Sequence, residues 1–166
     1  MKHTAWILLL LPILACFVEQ PQQVVNRELG YSVMFPGAPS NTRYNESTPF
    51  GQIEWFSASY ISTNRFDQTC TVEVGTLPAG NQGGSNQKEI LATLKDWISW
   101  RYPGSIVELD SRRGPGFEYT TKGTKNNVLK GIIILRRGRL HNARGTTSNP
   151  SNPSFINFFD SFEVDP

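Results

Sequence analysis

Cysteine and histidine are scarce in this sequence, two of each in 166 residues. Two Cys exclude a disulfide-dense scaffold. No Cys, His, Asp or Glu grouping has metal-ligand spacing, so a structural zinc site is not expected. An excess of one charge is also missing. Sixteen Lys and Arg face fourteen Asp and Glu, a net +2, which disfavours nucleic acid as a partner. Only one stretch is apolar enough to enter a bilayer, so a polytopic membrane protein is excluded. There is no Gly-x-Ser-x-Gly elbow and no Gly-Lys-Ser/Thr phosphate loop. The carboxylates Glu54, Glu73, Glu108, Asp110 and Glu118 are scattered along the chain, as in any domain, rather than set out as a glycosidase pair. The expectation from these absences is a protein that is not an enzyme and that uses no cofactor and no metal. What is present is 38% hydrophobic residues, 18% charged residues, 14 Gly and 11 Pro. That composition fits one turn-rich globular domain and no disordered tail, coiled coil or collagen-like repeat.

The apolar stretch is an address. Lys2 precedes the run Ala5 to Leu14, which has the length of a signal-peptide core and is too short to span a bilayer. The run closes on Ile13-Leu14-Ala15-Cys16, which resembles the lipobox of bacterial lipoprotein signal peptides. That resemblance implies cleavage before Cys16 and acylation of its thiol. It also implies residence in the cell envelope as a membrane-anchored lipoprotein facing the periplasm or the exterior. An ordinary cleaved signal and an uncleaved anchor are the alternatives, although Ile13 suits an ordinary cut after Ala15 poorly. If Cys16 is not lipidated, a disulfide with Cys70 is open to it. Otherwise Cys70, between Thr69 and Thr71 in a strand-like run, is expected to be a buried and inert thiol.

The domain division that follows is 1–15 signal peptide, 16–28 lipidated Cys and tether, and 29–166 a single domain. Residues 17–26 are rich in Gln, contain Pro21 and show no period. Alternation predicts strands over 30–35, 41–45, 51–61, 70–77, 105–112, 116–122, 128–137 and 139–145. The unbroken run Ile132-Ile133-Ile134-Leu135 suits a central strand covered on both faces. A helix is expected over 86–102, because Ile90, Leu91, Leu94, Trp97 and Ile98 form one stripe. Ser85 or Asn86 is available to cap it, with Glu89 in a capping box with Asn86. A second helix is expected over 152–162, where Phe155, Phe159 and Phe162 recur. Strands, helix, a meander of strands and a closing helix define class α+β, a mainly antiparallel β-sheet flanked by helices.

The segment Gly30-Tyr31-Ser32-Val33-Met34-Phe35-Pro36-Gly37 resembles the opening strand and turn of PsbP/Mog1-like proteins. Gly138-Arg139-Leu140, followed after a loop by Phe158-Phe159-Asp160-Ser161-Phe162, resembles their late hairpin and terminal helix. The resemblance runs over about residues 29–164 and implies a fold, an antiparallel sheet sandwiched between helices. It implies no catalytic residue, and it suggests a non-catalytic accessory, assembly or interaction subunit with a protein partner in the envelope. The alternative is a small-ligand or glycan-binding module.

The binding patch expected for that alternative comprises Arg137, Arg139, His141 and Trp100. Arg136, Arg137, Arg139 and Arg144 lie around one hairpin with His141 between them, while Arg112 and Arg113 lie two strands earlier. Strand alternation predicts that Arg136 and Arg137 face opposite ways, and Arg137 and Arg139 share a face only if the turn is wide. The same arginines could instead guard a sheet edge against aggregation. Trp97 is expected in the core. Trp100 lies about 60° off the stripe and is expected to border a groove with Tyr102.

Overall fold

The computed structural model describes residues 20–62, 68–81, 86–109, 113–123 and 127–165. The leader, Cys16, Ser85, Asp110 and Arg112 lie outside the described residues. Ten strands and two helices follow in order: β1 (Gln22–Asn26), β2 (Tyr31–Phe35), β3 (Ser40–Thr48), β4 (Gly51–Ile61), β5 (Thr69–Thr76), α1 (Gln87–Arg101), β6 (Ser105–Glu108), β7 (Gly116–Lys122), β8 (Val128–Arg136), β9 (Arg139–Thr147), α2 (Pro153–Asp160) and β10 (Glu163–Val164).

Seven strands form one sheet in the order β3-β4-β5-β9-β8-β7-β6, and a second sheet has the order β1-β2-β10. Every pairing is antiparallel. The chain leaves β5, crosses one face as α1, and returns as a meander from the far edge inward. The fold is α+β, as the order of elements predicts.

The period-2 geometry of β8 shows how the sheet divides the core. Ile132 and Ile134 belong to one apolar cluster, with Val72, Val74, Phe35 and the phenylalanines of α2. Ile133 and Leu135 belong to the other, with Phe117, Leu140 and the α1 residues Ile90, Leu94 and Ile98. Four consecutive apolar residues are therefore all buried, two on each side. Gly131 stands just before the run because the Tyr119 ring on the neighbouring strand lies over it. A Cβ there would sit 2.2 Å from a ring carbon.

α2 is amphipathic over two turns. Phe155, Phe158 and Phe159 are buried, and so is Phe162 just beyond its end. Pro153 stands at its first turn, where no amide donor is needed. The Asn152 side chain caps it by accepting from the Ser154 amide at 3.0 Å. α1 is bounded by Asn86 and Tyr102, but Asn86 makes no side-chain cap bond, so the expected capping box with Glu89 is not formed.

Residues 22–26, assigned to the tether from sequence, form β1 and pair with β2 from Gln22↔Phe35 to Asn26↔Tyr31. Val24 packs on the α2-side core while Val25 faces out. One inward apolar residue is too little for a visible period, and the strand is held by main-chain bonds to β2. The strand expected over 105–112 is shorter, Ser105–Glu108, and that expected over 41–45 is longer, Ser40–Thr48.

Candidate functional site

Two recesses hold the polar side chains that the fold gathers. The first lies at the turn between β8 and β9. Arg136 and Arg139 are register partners, leaving Arg137-Gly138 as a two-residue loop. Both loop residues have positive φ, +50° and +70°, the geometry that matches the twist of a tight hairpin. Arg137 therefore belongs to the turn and escapes strand alternation. Arg136, Arg137 and Arg139 all line one recess of about 270 Å³, contrary to the expectation that Arg136 and Arg137 diverge. β8 and β9 are interior strands of the sheet, whose edges are β3 and β6. These arginines consequently guard no edge.

The opposite wall is the loop from Arg27 to Gly30, joining β1 to β2. Five bonds fix it. Arg139 donates to the Glu28 carbonyl at 2.6 Å, and His141 Nε2 meets the Leu29 carbonyl at 2.9 Å. The Leu29 amide donates to Asn26 Oδ1, the Gly30 amide to the Asn26 carbonyl, and the Asp165 amide to the Gly30 carbonyl. Since a carbonyl only accepts, His141 carries its proton on Nε2. Burial pushes the His141 pKa below its ordinary value, nearby Arg139 adds to the fall, and the bond to Leu29 opposes it. His141 is thus a neutral buried strut at this recess. Trp100, the fourth member of the expected patch, is 81% exposed on the outer side of α1 and does not reach the recess.

The second recess lies between α1 and the sheet and was not foreseen. Glu73 on β5 is buried, and three side chains converge on its carboxylate. Tyr44 Oη donates to Oε1 at 2.7 Å, Arg144 Nη2 donates to Oε1 at 2.7 Å, and Asn142 Nδ2 donates to Oε2 at 3.1 Å. Tyr119 Oη donates to Asn142 Oδ1 at 3.3 Å. Tyr102 stacks on Tyr119 with ring centroids 5.8 Å apart. Above them Arg101 pairs with Glu46 and lies over the Trp97 ring. Burial works against the Arg144 charge, but the Glu73 carboxylate together with the Tyr102 and Tyr119 phenols outweighs it and holds the guanidinium pKa above its usual value. Burial and the Glu73 charge together raise the Tyr44 pKa, so its phenol stays protonated. The Trp55 Nε1 and Arg144 Nε atoms are buried with no acceptor among the described residues. The space left is about 40 Å³, which is room for a few waters at roughly 10–15 Å³ each and far below the few hundred Å³ of a typical ligand pocket. Tyr102 lines this recess and Trp100 does not, so the expected Trp100–Tyr102 groove is not formed.

Cys70 is free and buried in the α2-side core, with Gln68 Nε2 3.7 Å from its sulfur. Burial pushes its thiol up to about 12, a setting that keeps it protonated. Among the described residues, no three His, Cys, Asp or Glu side chains group around a common point. No described helix is long and apolar enough to cross a membrane.

An antiparallel seven-stranded sheet carrying α1 on one face and α2 with a small sheet on the other is the architecture of the PsbP-like α+β class. The chain is similar to the solution structure of cyanobacterial PsbP (CyanoP) from Synechocystis sp. PCC 6803. The TM-score is 0.52, over 90% of this chain and 95% of that one, at 12% sequence identity. At that identity the likeness speaks to the fold alone. No protein-family model matches the chain, and no curated protein matches it.

Proposed function

We propose that this protein is a non-catalytic lipoprotein of the cell envelope, tethered through Cys16 and acting as an accessory or interaction subunit for a protein partner. The observation that carries the reading is Ile13-Leu14-Ala15-Cys16 placed directly after a ten-residue apolar run. Each buried acyl CH₂ contributes about 0.8 kcal/mol, so more than one chain on the terminal Cys gives a stable anchor. Since β1 begins at Gln22, the leash from Cys16 spans at most about 20 Å at roughly 3.5 Å per residue. A body held that near the bilayer suits a partner in or on the same membrane. The PsbP-like fold is compatible with this role.

The test is the intact mass of the protein extracted from membranes. Cleavage before Cys16 with added acyl mass is the expected result. A chain recovered freely dissolved in the cytosol and still bearing Met1 overturns the reading. Crosslinking in intact envelopes, followed by capture, should then recover a specific partner.

A further inference from the structure

The recess at the β8–β9 turn is an oxyanion site: we infer that it binds a compact polyanion of the phosphate or carboxylate class. This goes beyond the tethering reading and does not depend on it. The first observation is charge. Arg27, Arg136, Arg137 and Arg139 line the recess with only Glu28 and Asp165 beside them, an excess equal to the net +2 of the whole chain. No ion pair joins these four guanidinia to any described residue, although two carboxylates share their recess. Arg144, five residues from Arg139, is by contrast ion-paired with Glu73.

The second observation is rigidity. Arg139 and His141 each spend a hydrogen bond on the backbone of the opposing loop, so the recess is formed before any ligand arrives. Preorganisation of this kind lowers the ordering cost of binding. The third is strain. Arg137 is the only described non-glycine residue with positive φ. An L-residue in the left-handed region costs roughly 1–2 kcal/mol, and Asn or Gly are the usual occupants. Keeping a long cationic side chain at that position has no packing return, since Arg137 is exposed. Its return is a guanidinium at the mouth of the recess, where planar forks match the oxygens of phosphate and carboxylate.

Two sources could supply such a group, a free anion or a lipid headgroup. The vesicle arms of the test separate the two.

The experiment titrates the purified full-length protein calorimetrically with pyrophosphate and with citrate in the presence of phosphatidylcholine vesicles, so that the readout is the same whether or not the chain is anchored. The expected result is saturable binding of at least one of them that weakens with added salt. Arg137→Asn should weaken it about tenfold or more, on the scale of one charge-assisted bond, while leaving the thermal midpoint equal or higher. Arg43→Gln, on the remote strand β3, should bind like the parent. A second set of vesicles containing phosphatidylglycerol separates the sources. Unchanged pyrophosphate affinity assigns a free anion, and competition assigns a headgroup; either supports the site. No saturable binding, or an Arg137→Asn protein that binds as the parent does, overturns it.

Discussion

Arg144 and Arg137 sit on the same hairpin and meet opposite fates. Arg144 faces α1, where the Glu73 carboxylate answers its charge while also accepting from Tyr44 and Asn142. Arg137 faces outward from a strained turn with no described partner. The α1 recess has about 40 Å³ left and the turn recess about 270 Å³. The difference teaches that polar density alone does not mark a site. A buried network whose members answer one another serves architecture. A cluster whose charges remain unanswered, on a scaffold pinned in advance, is prepared for something from outside.

The strongest way to break this contrast is Glu73→Leu. It leaves Tyr44, Asn142 and the one-third-exposed Arg144 guanidinium without their shared acceptor, and the expected loss is about 2 kcal/mol, less than for a fully buried pair because solvent still reaches the arginine. Denaturant unfolding reads it directly. Replacing Arg144 with Met in the same protein should recover most of that loss. Arg137→Asn should act in the other direction, adding up to about 1 kcal/mol of stability, because Asn tolerates the left-handed conformation of this turn better than Arg does. A midpoint that falls instead would mean Arg137 holds the hairpin together.

The third prediction sharpens the role of His141. Its folded pKa lies below the ordinary value, so the unfolded chain binds the proton more readily than the native one. Stability from this group is full above about pH 6.5 and declines as pH falls from there toward the folded pKa. Thermal midpoints measured from pH 8 down to pH 5 should drop on the acid side, and His141→Asn should flatten that limb. The smallest effect belongs to the exposed Arg43–Glu54 pair at 3.9 Å. Arg43→Gln should change unfolding free energy by about 0.5 kcal/mol or less.

Much of the scaffold was legible from sequence, because burial imposes a period that survives in the residues. Ile132–Leu135 announced a strand covered on both faces, and Ile90, Leu94 and Ile98 announced the buried stripe of α1. Gln22–Asn26 did not announce β1, since an edge strand held by main-chain bonds needs only one inward side chain. The arginines of the turn were visible as a cluster. Their convergence was not, because alternation applies to strands and Arg137 lies in a loop. The α1 recess was the least legible. Glu73 and Asn142 are 69 positions apart and meet only through the β5–β9 register. Nothing local in either segment encodes that pairing. Trp100 is two residues, or about 200° of helix, past the buried Ile98 and so faces away from the sheet.

β2 is held from both sides by segments far apart in the chain, β1 just before it and Glu163-Val164 more than a hundred residues later. During synthesis, a ribosome that has emitted everything up to α2 has still not supplied the final seam. The aromatic bed under Phe35 and Phe158 is thus closed only once the residues beyond α2 have been made, and a polypeptide interrupted at α2 would lack that seam.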